Sequence, residues 1–101
     1  MALKTTPYDP AEYLGDDDAI AAYIDDALAT DDPAFIAKCI GDVARARGMT
    51  QVANDSGLSR ESLYKALSPD GNPEFATILK VINALGLKFA VTQMETAQNP
   101  A

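Results

Sequence analysis

The sequence predicts an all-α domain of five helices closed by a short C-terminal strand, and three observations lead there. Apolar residues recur at helical spacing in five separate stretches. Caps, prolines and glycines that mark helix ends stand between those stretches. Only after Gly86 does the pattern change, to an alternation of period two.

The elements follow in chain order. Residues 1–15 carry Pro7, Pro10, Tyr8, Tyr13 and Leu14 and read as an extended arm able to pack on something. Asp16, Asp17 and Asp18 then supply a cap and dipole-matched charge for a first helix. Its apolar stripe is Ile20, Tyr23, Ile24, Ala27 and Leu28. Asp32 followed by Pro33 is a start signal for the second helix, because proline at the first helical position gives up only an N–H that has no helical partner. Phe35, Ile36, Cys39, Ile40 and Val43 form its stripe; Arg45 and Arg47 suit its C-terminus, and Gly48 ends it. Pro69-Asp70-Gly71 is a turn, and Asn72-Pro73 repeats the cap-then-proline signal. The fifth helix uses Phe75, Ile78, Leu79, Ile82 and Leu85. Leu87, Phe89 and Val91 alternate with Lys88 and Thr92, a strand pattern with no second strand in the chain to pair with. Such a strand pairs with a second subunit or another protein, or else lies as a tail over the core; pattern leaves both open. Residues 96–101 read as a frayed end.

The third and fourth helices are the most informative. Met49 to Ser68, MTQVANDSGLSRESLYKALS, has the form of a helix-turn-helix. Ala53 stands where two helices cross, and Gly57 at the turn, where a left-handed backbone is cheap for glycine. Leu58 plugs the core and Ser59 caps the next helix. Leu63 and Leu67 turn one face of that helix inward and leave Arg60, Glu61, Ser62, Tyr64 and Lys65 on the others. Arg60 lies in the first turn, where a side chain reaches base edges and arginine can pair bidentately with guanine. Ser62 is second for base readout; Ser59, Tyr64 and Lys65 suit phosphates. Glu61 either accepts from cytosine or pairs with Lys65. Thr50 and Gln51 complete the candidate DNA-binding set, Thr50 also as an N-cap. The bland alternative is a solvated helix used only for protein contact.

Bulk properties bound the rest. At 101 residues and 48% hydrophobic, the chain is one small domain or one with an appendage. One cysteine and no histidine leave no disulfide framework, no usual zinc site and no catalytic triad. Cys39 lies on the second stripe, which assigns it to the core. An EF-hand loop starting at Asp16 would need glutamate where Ala27 stands. No glycine pair makes a phosphate loop, and no carboxylate pair is in a setting that would raise a pKa. The expectation is therefore no enzyme, no cofactor and no metal. The N-terminus, MALKTTPYDPAEYL, lacks a signal-peptide run, and no stretch is apolar enough to span a membrane, so a cytoplasmic protein is expected.

The net charge of −7 runs against DNA binding, but it is unevenly spread. Residues 1–35 carry one base against nine acids; residues 36–101 carry seven bases against six acids. Asp25, Asp26, Asp31 and Asp32 are either a solvated face or an acidic docking surface for a basic protein.

The run from YDPAEYL through IGDVARARGMTQVANDSGLSRESLYKALSPDGNPEFATILKVINALGLKF resembles the addiction-module antidote proteins. The most specific parts are Ala44-Arg45-Ala46-Arg47-Gly48, Gly57 through Tyr64, and Ser68-Pro69 to Asn72-Pro73; the resemblance extends from Tyr8 to Val91. It implies a lambda-repressor-like helix-turn-helix and an antitoxin that silences a RelE/HigB-like toxin ribonuclease. It also implies a homodimer that represses its own double-stranded operator DNA. One departure bears on the site. In the wider phage-repressor class a Thr-Gln pair precedes the helix-crossing alanine by five and four positions, whereas Thr50 and Gln51 precede Ala53 by three and two. The first helix of the unit is therefore short or shifted, and the class's phosphate-contacting glutamine does not transfer directly to Gln51. On this reading residues 1–35 are an arm and acidic helix for toxin contact, 36–95 the DNA-binding domain and 96–101 a tail. The alternatives are a stand-alone regulator, or a protein-binding module without DNA binding.

Overall fold

The computed structural model describes residues 17–94. Five helices run through them: α1 Asp17–Leu28, α2 Pro33–Arg47, α3 Met49–Ser56, α4 Arg60–Ala66 and α5 Phe75–Ala84. The expected arm, the Asp16 cap and the tail 96–101 lie outside the described residues.

In α1, Ile20, Ile24 and Ala27 are buried at helical spacing, while Asp25 and Asp26 stand exposed on the opposite side. Thr30 Oγ1 then donates to the Ala27 carbonyl at 2.7 Å, satisfying an orphan acceptor at the helix end. Asp32 caps α2: its backbone is extended, and its Oδ1 accepts from Ala34 N at 3.2 Å and Phe35 N at 3.3 Å. Arg47 at the end of α2 reaches Asp17 at the start of α1 at 3.7 Å, each charge complementing the partial charge of its helix end.

The helices close on one apolar cluster. Ile20 and Ile24 meet Ile40, Val43 and Ala44 of α2, Val52 and Ala53 of α3, Leu63 of α4, Leu67 just beyond it, and Val81, Ile82 and Leu85 at the end of α5. α1 packs on α2, α2 on α3, and α3 on both α4 and α5, which makes α3 the hub. Cys39 is buried, and that burial pushes its thiol up.

Four expectations change. Thr50 is not a cap: α3 begins at Met49, because Gly48 ends α2 and starts α3 with no spacer. Asn72 does not cap α5, which starts at Phe75 after an extended Glu74; Gly71 to Glu74 are used to bring the chain from α4 across to α5. Gly71 donates to the Ser68 carbonyl at 2.8 Å in that crossing. A Cβ there would stand 2.6 Å from the Lys65 carbonyl and nearer still to that of Ala66, so only glycine fits. Phe35 and Phe75 are exposed rather than core, because both lie in first turns beyond the cluster's edge; Ala37, Ala44 and Val81 take the interior places.

The C-terminal strand is the fourth. Among the described residues there is no strand, and Leu87–Met94 carry no regular structure. The alternation instead delivers Leu87 and Phe89 to the core while Val91 is 99% exposed. A lone extended segment has no neighbour with which to exchange ladder hydrogen bonds.

Candidate nucleic-acid interface

The α3–α4 pair is built by local chemistry. α3 is short, eight residues, one of the two outcomes left open by the spacing of Thr50 and Gln51 before Ala53. It ends at Gly57, left-handed at φ 79°, whose N–H donates to the Ala53 carbonyl at 2.9 Å. Ser56 Oγ donates to the same carbonyl and accepts from Leu58 N, each at 3.3 Å, so the turn is held from both sides. Leu58 packs half-buried on the core. Ser59 then caps α4: its Oγ accepts from Ser62 N at 3.0 Å and donates to Ser62 Oγ at 2.9 Å.

Leu63 and Leu67, both essentially without exposure, fasten α4 to the cluster. Arg60, Glu61, Ser62, Tyr64 and Lys65 are left exposed. The structure thus places Ser59 through Lys65 on one short outward segment and Thr50 and Gln51, also exposed, on the helix before it. Arg60 is not extended into solvent. Its Nη2 donates to Tyr64 Oη at 3.2 Å, and its guanidinium lies 5.6 Å from that ring's centroid. Gln51 is likewise engaged, donating to both carboxylate oxygens of Asp55 at 3.0 Å. Among the described residues Glu61 and Lys65 form no ion pair.

A second polar group escaped the sequence reading. Asp42, largely covered, accepts from Tyr23 Oη at 2.8 Å, Lys38 Nζ at 3.0 Å and Arg45 Nη2 at 2.9 Å. Burial alone would raise its carboxyl, but the bonds from Lys38, Tyr23 and Arg45 and the Lys38 charge outweigh it and hold the carboxyl low. Burial, then the bond to the Asp42 carboxylate and its charge, push the Tyr23 phenol well above its ordinary range. Lys38, Asp42 and Arg45 are spaced to meet on one helix face, which the sequence could have signalled; Tyr23 comes from another helix, which it could not.

An apolar groove of about 610 Å³ opens on another side, lined in part by Ile36, Ile40, Phe75, Ile78 and Phe89. Phe75 and Phe89 stack there with centroids 6.2 Å apart. Among the described residues no cluster of carboxylate and thiol groups is arranged to hold a metal ion. No helix among them is long and apolar enough to cross a membrane.

These features define a small all-helical domain that presents one short polar helix from a closed apolar core. The chain belongs to the family described as probable addiction module antidote protein, which matches residues 4–93 and assigns it to the antidote side of an addiction module. It is 49% identical over 97 residues to a Haemophilus influenzae protein described as an uncharacterized protein, covering 96% of this chain and 100% of the relative. No solved structure matches the chain.

Proposed function

We propose that the chain is the antitoxin of a type II module that neutralises a RelE/HigB-like toxin by direct binding and represses its own operator. In this reading α3 and α4 are a lambda-repressor-like helix-turn-helix, with α4 in the major groove. Arg60 reads a base, Ser62 supports it, and Ser59, Tyr64 and Lys65 hold phosphates. Thr50, Gln51 and Glu61 line the same contact. A homodimer would set two α4 helices about 34–36 Å apart, facing successive major grooves. The acidic front, residues 1–35, faces the toxin; residues 36–95 face DNA.

One observation carries the DNA half of this reading. α4 is fixed from within by Leu63 and Leu67 and at its start by the Ser59 cap, yet every other functional group on it is exposed. A helix so preorganised loses little conformational freedom on binding. The net charge of −7, and the closure of Arg60 onto Tyr64, favour the rival reading of a protein-binding module that no longer reads DNA.

Fluorescence anisotropy with the duplex upstream of the protein's own gene separates the two. Tight binding that falls with salt, prefers this duplex to unrelated DNA and weakens by roughly 1–3 kcal/mol in Arg60→Ala is expected. A folded protein with no sequence preference at low salt would remove operator binding by the protein alone.

A further inference from the structure

We infer that the apolar groove between the start of α2 and the start of α5 is the seat of the toxin, and that it takes an apolar side chain flanked by lysine or arginine. The inference rests on the toxin-binding half of the proposed function and extends that contact beyond residues 1–35 to Phe75 and its groove neighbours, none of which is in the candidate DNA-binding set.

The groove is roomy and ready. Its volume of about 610 Å³ is enough for one or two large side chains. Its walls are aliphatic, from Ile36, Ile40 and Ile78, and aromatic, from Phe89 and Phe75, and Phe75 stays 67% exposed. Among the described residues nothing fills the groove, and an exposed aromatic beside an apolar groove suits a binding anchor.

Charge selects the occupant. Asp32 lines the groove, Asp31 precedes it, and Glu74 stands between the lining residues Pro73 and Phe75. Among the described residues no lysine or arginine lines it. A second copy of this chain, at a net charge of −7 overall, gains no general electrostatic attraction to an acidic rim. A basic partner gains on approach and on docking. An antidote protein has a toxin as its partner, and the groove's chemistry asks that the toxin present a basic surface there.

The test uses the full-length protein and the purified toxin encoded beside it, with affinity by calorimetry at two salt concentrations and oligomeric state by sedimentation. Phe75→Ser removes the exposed anchor with little threat to the fold. Asp32→Asn keeps a side chain able to cap α2 while removing the charge, and Glu74→Gln removes the charge at α5 without touching a cap bond, since Glu74 makes none there. We expect Phe75→Ser to weaken toxin binding by about tenfold or more. The double charge variant should weaken it several-fold and flatten its salt dependence. Operator binding should be unchanged in both.

Toxin affinity within about twofold of wild type in both variants would overturn the inference and leave the antitoxin reading standing. So would a Phe75→Ser protein that changes oligomeric state but not toxin affinity, which would give the groove to a second copy. Amide shifts of Ala37 and Ile40 that respond to deleting residues 1–16 but not to adding toxin would give it to the chain itself, again overturning the proposal. A wild-type protein that binds no toxin would remove the antitoxin reading and this inference together.

Discussion

The α1–α2 pair and the α3–α4 pair use their polar side chains in opposite ways. Between α1 and α2, Asp42 gathers Tyr23, Lys38 and Arg45 into one partly covered network that ties two helices together. Around α3 and α4 the polar contacts stay within four residues of sequence: Gln51 with Asp55, Ser59 with Ser62, Arg60 with Tyr64. One region spends its hydrogen-bonding groups on its own tertiary structure. The other relies on apolar side chains for its position and keeps its polar groups on the surface. The α3–α4 face is thus held in place by groups other than the polar ones it exposes.

The sharpest way to break that contrast is to loosen α4 from below. Leu63→Ala removes a side chain with no exposure and should cost about 2–5 kcal/mol, read as a lower urea midpoint in equilibrium unfolding. If it cost no more than a surface substitution, α4 would not be held by the core.

Next comes the network. Asp42→Ala strips three donors of their shared acceptor and should cost about 1–3 kcal/mol. Its pH dependence follows from the direction of each shift. Asp42 has a folded pKa below its unfolded one, so its contribution is present above the ordinary carboxylate range and is lost as pH falls through the depressed folded value. Tyr23 is raised, so its contribution is present below its ordinary value of 10.0 and lost as pH rises through the folded one. Chemical denaturation across pH should show both limbs in the wild type. Asp42→Asn should flatten the acid limb.

A smaller effect belongs to the turn. Gly57→Ala forces a side chain into the left-handed region and should cost about 1–2 kcal/mol in thermal unfolding, since the Cβ meets no atoms and the strain is in the backbone alone. The smallest belongs to the exposed face. Arg60→Ala should leave stability within about 0.5 kcal/mol of wild type, because an exposed hydrogen bond and ring contact contribute little. Its circular-dichroism melt should overlay the wild type while DNA anisotropy falls. A large stability loss would mean that the Arg60–Tyr64 contact serves the fold, and the contrast between the two regions would fail.

How much of this was legible beforehand varies by kind of signal. Ile20 and Ile24, Ile40 and Val43, and Leu63 and Leu67 are all core residues read from period alone. Asp32, Ser59, Gly48 and Gly57 mark helix boundaries through their own local chemistry. Phe35 and Phe75 depart from the expected core stripe for one reason. Periodicity gives the angle of a side chain about its helix but not whether that turn extends past the end of the core. The C-terminal alternation was misassigned because a strand is defined by its neighbour, and alternation only says which side chains face inward.

The sequence by itself determined much of the local structure: which segments turn into helices, the caps at Asp32 and Ser59, the breaks at Gly48 and Gly57, and which residues of α4 can be inward. These depend on interactions within about four residues, so a linear reading captures them. Only the tertiary structure decided that Tyr23 closes on Asp42 nineteen residues away, that Gly71 must slip under the carbonyls of α4, and that Phe75 and Phe89 flank an open groove that Asp32 also lines. Those contacts join residues far apart in the chain, and their geometry is set by how whole helices cross, which no local pattern encodes.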